Sequence, residues 1–264
     1  VALPSKDFAA DSPPITVDFD WRRHRKYVVF IVFVAFFLNS LDRNIINILQ
    51  QSIKVEFHLM DWQLGMMTGF AFAMFYNVIG IPTARFIDGG AVRRNIIAGG
   101  LALWSVATAL CGITQNFWQL LLFRAGVGVG EGTFGPSTMT MISDYYGPNE
   151  RAKAMGTYLL GLPLAALVGL PLGGWVADHY GWRAALMLVG FPGLIVALIV
   201  RLTVREPPRG LSDGKVVTVV SIPVRQVFRI AMRKKTVVHL LAAASLASFS
   251  TVGGAIWFPA FLQR

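Results

Sequence analysis

Four ionisable residues interrupt stretches that otherwise read as lipid-buried helix. Asp42 and Arg43 lie in Phe36-Phe37-Leu38-Asn39-Ser40-Leu41-Asp42-Arg43-Asn44-Ile45-Ile46; Arg124 and Glu131 lie in Leu121-Leu122-Phe123-Arg124-Ala125-Gly126-Val127-Gly128-Val129-Gly130-Glu131-Gly132. A bare charge at bilayer depth costs roughly 2.5–3.5 kcal/mol on insertion scales, so such residues face a partner or a watery path. If the four line one cavity, an arginine would attract an anionic headgroup and a carboxylate would bind a coupling proton. Burial raises a carboxylate's pKa and a neighbouring Arg lowers it, so a rearranging pair can bind a proton in one state and release it in another. The same residues would also make a static ion-paired staple between helices, and residue type alone does not separate the two.

The elements that must position them are membrane spans. Hydrophobic residues make up 55% of the 264 and charged residues 14%, with a mean hydropathy of +0.57, which points away from a soluble fold. Seven segments are apolar enough to cross about 30 Å of hydrocarbon, which takes roughly 20 helical residues. They run near residues 27–49, 62–86, 95–113, 117–143, 154–177, 184–201 and 236–262. The connections at residues 88–94, 114–116 and 179–183 are so short that sequential helices must lie antiparallel. Entering at Tyr27, the first span carries Asp42 about 22 Å in; the fourth, entering from the other side at Phe117, carries Arg124 about 10 Å and Glu131 about 21 Å down. Asp42 and Arg124 therefore share a level, with Glu131 about two turns deeper.

Positive charge sets direction, because Lys and Arg are retained on the cytoplasmic side. Arg22, Arg23, Arg25 and Lys26 precede the first span, Arg85, Arg93 and Arg94 flank the second connection, and Arg151 and Lys153 mark the fourth. The sixth carries Arg201, Arg205, Arg209, Lys215, Arg225, Arg229, Arg233, Lys234 and Lys235, against Lys54, Arg183 and Arg264 on the other side. This predicts a cytoplasmic N-terminus in an inner or plasma membrane, and it assigns the net charge of +10 to topology rather than to nucleic acid. The first twenty residues lack the apolar region of a cleavable signal, so targeting is expected from the first span.

The expected organisation is a cytoplasmic segment at 1–26, a six-helix unit at 27–202, a cytoplasmic linker at 203–235 and a seventh span at 236–264 that begins a second unit in a longer polypeptide. Within the linker, Val224, Val227, Phe228 and Ala231 fall on one helical face, suited to lying along the membrane surface. Asp88, Arg93, Arg94, Asp144, Glu150 and Arg151 sit at cytoplasmic helix ends and read as a network that latches that side closed in one state, although solvated surface charges would look alike. Asp178 and Arg183 flank the short outer turn and read as structural. Gly126, Gly128, Gly130 and Gly132 follow no strand, so close helix packing is favoured over a phosphate loop. One cysteine, Cys111, excludes an intrachain disulfide, and His24, His58, His179 and His239 show no ligand spacing. No cofactor, metal set or enzyme nucleophile is expected.

These motifs resemble the major facilitator superfamily, and within it the Spinster-like transporters. The resemblance covers Leu41 to Gly210 and then Phe258 to Arg264. It rests on Leu41-Asp42-Arg43, on Ile53-Lys54-Val55-Glu56-Phe57-His58-Leu59, on Leu64-Gly65, Thr68-Gly69-Phe70, Tyr76 and Gly80-Ile81-Pro82, and on the run Arg124 to Glu131 with Pro136 and Ser143-Asp144-Tyr145. Gly173-Gly174-Trp175, Tyr180-Gly181-Trp182-Arg183 and Arg205-Glu206-Pro207-Pro208-Arg209-Gly210 complete it. The loop after the second span departs from the superfamily pattern: Ala84 stands for the leading Gly, and Gly89 follows Asp88 where an Arg is usual. The glycine and proline pattern of Gly161, Pro163, Gly169, Pro171, Gly173 and Gly174 is similar to the kinked helix of superfamily antiporters, and fits a bent, tightly packed helix equally.

The resemblance implies an all-α membrane protein, the N-terminal six-helix half of a 12-helix major facilitator fold plus helix 7, working by alternating access around a central site. It implies proton coupling at Asp42 and Glu131, substrate contact at Arg43 and Arg124, and a cytoplasmic gate of Asp88, Arg93, Arg94, Asp144 and Arg151. The expected partners are protons, membrane lipids and an amphipathic lipid substrate such as a lysophospholipid or sphingoid phosphate, with the protein monomeric. Transport of hydrophilic organic anions or drug-like amphiphiles, or a non-transporting receptor or scaffold, are the alternatives.

Overall fold

The computed structural model describes residues 20–213 and 224–262, and among these the regular structure is entirely helical. Helix α1 is Trp21–Phe57, α2 is Asp61–Asp88, α3 is Arg93–Cys111 and α4 is Phe117–Tyr145. Pro148–Leu159 runs almost unbroken into Gly161–Thr203, and the only non-helical dihedrals within the latter are at Gly181 (φ 82°, ψ 162°). Residues 148–180 are therefore α5 and residues 182–203 are α6, a hairpin turned at one residue. Val224–Arg233 (α7) and Lys235–Leu262 (α8) follow. Residues 1–19, the linker residues 214–223 that include Lys215, and Gln263 and Arg264 lie outside the described residues. So do the side chains of Val224, Arg225, Val227 and Phe258, on which part of the expected linker face and of the family resemblance rests.

Helix ends follow local chemistry. Asp20 caps α1 by accepting from the Arg23 backbone N–H at 3.1 Å, and Asn116 caps α4 by accepting from Gln119 N–H at 3.0 Å. Pro148 opens α5, where its missing N–H costs nothing. The α1 helix extends beyond its expected apolar span by six residues at its start and eight at its end (21–57 against 27–49), because backbone hydrogen bonding continues past the hydrocarbon. By length and composition, α1, α2, α3 and the 148–203 run are apolar enough to cross a membrane. The glycine-rich α4 falls short of that measure and lies packed between α2 and α3.

The glycines explain that place. A Cβ at Gly128 or Gly132 would lie 2.7 Å from Phe72 O or 2.6 Å from Tyr76 O on α2, and one at Gly130 would lie 2.7 Å from Gly100 O and from Trp104 N on α3. One glycine stripe of α4 thus seats α2 and the other seats α3, the close backbone approach that small residues allow in lipid. Gly161 and Gly173 bring α5 against Phe37 and Ile45 of α1, and Gly190 brings α6 against Ser105 and Ala109 of α3. Two apolar cores result. One, toward the end where α1 begins, holds Val28, Val32, Leu101, Trp104, Phe134 and Tyr158; the other holds Ile45, Leu49, Leu64, Leu120 and Trp182. Asp42, Thr108, Arg124 and Glu131 are buried, the first three at positions that separate residues of one core from residues of the other along α1, α3 and α4.

Candidate functional site: a charged waist and two charged ends

At this waist the four charges pair crosswise. Arg43 Nε donates to Glu131 Oε2 at 2.6 Å, and Arg124 Nη1 lies 3.8 Å from Asp42 Oδ1. Thr108 Oγ1 on α3 donates to Asp42 Oδ2 at 2.6 Å. Helical rise alone sets Glu131 two turns from Asp42. Side chains lean toward the N-terminus of their own helix, so on antiparallel α1 and α4 the Arg43 and Glu131 side chains lean toward each other and close that gap.

The pairs differ in access. Glu131 is fully buried (0%), whereas the Arg43 side chain is 40% exposed; Asp42 and Arg124 are both shut in at 2%. The Arg43 guanidinium lies 4.8 Å from the Tyr76 ring centroid and 5.1 Å from that of Phe72, and Arg124 lies 5.5 Å from Phe72, so two α2 aromatics floor the site. Asp42 Oδ1, Glu131 Oε1 and Arg124 Nε and Nη1 are buried without a hydrogen-bond partner among the described residues. Buried polar atoms are nearly always satisfied, so spare capacity on both signs of charge sets these residues apart from an ordinary apolar core. The sequence does not single out Thr108, Phe72 or Tyr76 as site residues. For Thr108 the available signal is a hydroxyl in an apolar run, one turn past Trp104.

Of the six residues read as a latch, four meet at the basic end, where α1 begins. Arg93 is buried; it donates through Nε to Glu206 Oε1 at 2.7 Å, through Nη1 to Asp144 Oδ2 and to Thr140 O at 3.2 Å, and through Nη2 to Pro207 O at 3.0 Å. Arg94 donates its backbone N–H to Glu206 Oε2 at 2.9 Å, and Arg151 Nη2 donates to Ser143 O at 2.9 Å. Asp88 does not join. It is exposed at the end of α2, with no ion pair among the described residues. Its place as the second acid is taken by Glu206, just past α6, which the sequence marks only as one member of the motif from Arg205 to Gly210. Gly210 N–H reaches Asp144 Oδ1 at 3.1 Å and Arg209 Nη2 reaches the carbonyls of Ile87 and Ala91, so residues 204–210 strap the ends of α2, α3 and α4 together. Glu150 pairs elsewhere, with Arg25 at 2.6 Å.

At the opposite end, beyond the apolar span of α1, Glu56 accepts from Arg183 Nη2 at 2.7 Å and from Trp182 Nε1 at 2.5 Å. The hydrogen bond from Arg183, then that from Trp182, holds the Glu56 carboxyl below the usual carboxylate range. Arg183 also donates to the carbonyls of Thr114 and Gly112, which ties α1, α3 and α6 at one point.

The family model described as Major Facilitator Superfamily matches residues 32–264. An "MFS-type efflux pump" of Mycolicibacterium smegmatis is 35% identical over 167 residues, 63% of this chain and 39% of that protein. The "Sphingosine-1-phosphate transporter SPNS2" of Danio rerio is 29% identical over 233 residues, 86% of this chain and 45% of that protein. Among solved structures, the crystal structure of a bacterial homolog of the human lysosomal transporter Spinster, in an inward-facing and unoccupied conformation, superposes with a TM-score of 0.77 at 33% identity, covering 91% of this chain and 56% of that one. The chain thus spans about half the length of the relatives it matches.

Proposed function

This chain belongs to the major facilitator superfamily, with the all-α fold of its N-terminal six-helix half plus a seventh spanning helix, and from that premise we propose that it serves a proton-coupled secondary transporter working by alternating access. The observation that carries the reading is the waist: two buried carboxylates paired crosswise with two guanidiniums, one enclosed and one partly open, with hydrogen-bonding capacity left over on both signs.

In the proposed cycle, a proton taken up on Glu131 neutralises the partner of Arg43. Arg43 already reaches an open face beside Phe72 and Tyr76, so its release offers a cation against aromatic walls to an incoming anionic group. Asp42 and Arg124 form the second pair, with Thr108 fixing the Asp42 carboxylate. The substrate class proposed is an amphipathic lipid with a negative head, a lysophospholipid or sphingoid phosphate, in keeping with the sphingosine-1-phosphate relative. A drug-like amphiphile or an organic anion would use the same cation and is the second reading, the partly open Arg43 being the observation that admits it. The basic end is proposed to face the cytoplasm, with the Arg93 network as its closed latch, and the working units as residues 27–202 and a second half beginning at 236, joined by 203–235.

The test is lysophospholipid flux by the full-length protein in proteoliposomes, with and without an imposed pH gradient, for wild type, Asp42→Asn and Glu131→Gln. Gradient-driven flux lost in either variant supports the reading and locates the coupling carboxylate. Flux indifferent to pH and to both variants would demote the waist to a staple, and gradient-driven flux of drug-like amphiphiles but not lipids would select the second reading.

A further inference from the structure

Where α3 packs on α6, an open groove of about 390 Å³ is lined by Asn95, Ala98, Gly99 and Ala102 on one side and Leu194, Ala197, Leu198 and Arg201 on the other. None of these belongs to the charged waist or to the latch. Because α3 starts and α6 finishes at the basic end, Asn95 and Arg201 stand at the mouth, and Ala102 and Leu194 lie seven residues further in, roughly 10 Å at 1.5 Å per residue. The trough exists because the α3 wall is made of small residues: a Cβ built at Gly99 meets nothing within 4 Å. Leu194 and Leu198 supply the apolar opposite wall.

The mouth is cationic and uncommitted. Arg25, Arg93 and Arg209 at this end are tied to protein acceptors, whereas the exposed Arg201 enters no ion pair or hydrogen bond among the described residues, nor does the Asn95 carboxamide. A guanidinium in the last turn of a spanning helix extends toward the headgroup layer and matches phosphate oxygens in a bidentate way. A cation above a 10 Å apolar trough has the polarity profile of a phospholipid seen from its phosphate downward.

We propose that the α3–α6 groove is a binding site for a phosphate-bearing lipid of the surrounding leaflet, with the phosphate on Arg201, polar head atoms on Asn95, and the upper part of one acyl chain lying over Gly99 between Ala102 and Leu194. The site rests on the helices spanning a bilayer and not on the transport reading, so either can fail without the other. It selects anionic lipids over zwitterionic ones, because one Lys or Arg near the surface of an anionic leaflet is worth about a fivefold change in binding.

The test places the full-length protein in vesicles of phosphatidylcholine doped with a phosphatidylglycerol whose acyl chain carries a photoreactive diazirine, followed by peptide mapping of the adducts. Labelling should concentrate on peptides containing residues 95–102 and 194–201. Gly99→Leu, whose side chain fills open space, should abolish it, and Arg201→Gln should lower it about fivefold while Arg201→Lys restores most of it. Glycerol phosphate at millimolar concentration should leave labelling unchanged; competition by it would identify a soluble phosphate as the occupant and overturn the proposal. Equal labelling of all lipid-facing helices, unaltered by Gly99→Leu in a protein that still elutes as a single species, would overturn it as well.

Discussion

Arg43 Nε and Glu131 Oε2 stand 2.6 Å apart, the arginine side chain partly open and the carboxylate fully enclosed. The asymmetry means that the two residues are not interchangeable in a perturbation: removing the arginine strands a buried charge, whereas removing the charge of the glutamate leaves a cation that can still reach an open face.

Arg43→Ala should therefore destabilise by about 1–3 kcal/mol, the usual cost of leaving a buried acceptor without its partner. Adding Glu131→Gln to that variant should recover most of the stability and none of the anion-dependent transport. Thermal unfolding of the purified full-length protein beside substrate flux separates the two; recovery of neither would mean that Arg43 matters through its packing on Phe72 and Tyr76.

Arg93 is buried with acceptors on Asp144, Glu206, Thr140 and Pro207. Arg93→Ala is expected to cost about 3–5 kcal/mol and to free the 204–210 strap. Tryptic cleavage after Arg205 or Arg209 should then accelerate, about tenfold for each 1.4 kcal/mol of lost protection where cleavage tracks opening. Asp88→Asn, at an exposed residue outside the network, should leave the cleavage rate as it is.

Gly130→Ala puts a methyl 2.7 Å from two backbone atoms of α3 and should destabilise by about 1–3 kcal/mol, because backbone cannot step aside. Gly99→Ala meets open space and should be neutral or stabilising by up to about 1 kcal/mol through helix propensity. Melting temperatures of the two single variants provide the comparison; equal effects would refute the packing account of α4.

The depressed Glu56 carboxyl predicts a pH effect of defined sign. A group that ionises more readily folded than unfolded contributes stability that is present above the usual carboxylate range and is lost as pH falls through the folded value. Thermal unfolding between pH 7 and pH 3 should show wild type losing more stability than Glu56→Gln. The two curves should converge at the acid end, and parallel curves would count against the Arg183 and Trp182 hydrogen bonds.

Charge in an apolar run makes the waist legible in the sequence. Asp42, Arg43, Arg124 and Glu131 stand out because lipid makes each of them costly alone. The crosswise pairing is not legible there, because helical rise gives the depth of a Cα and not the lean of a long side chain. Basic clustering leads to Arg93, Arg94, Asp144 and Arg151, but it also draws in Asp88, an acid near in sequence that does not turn toward the latch. Glu206 escapes such a reading because its partners lie 112 and 113 residues away; the clue is an acid between basic residues at the foot of the sixth span, where two arginines begin the third. The glycines of α4 are recognisable as packing residues, yet their division into one stripe for α2 and one for α3 depends on which helices stand beside them.

The turn at Gly181 joins α5 to α6 without a loop, and the two residues after it are bonded to Glu56 and to the carbonyls of Thr114 and Gly112. There is no slack at this corner. A pull on α6 is handed at once to α1 and to the end of α3, so α5 and α6 should leave a bilayer under mechanical force as one piece. A peptide tag spliced in at Gly181 would wedge three helices apart.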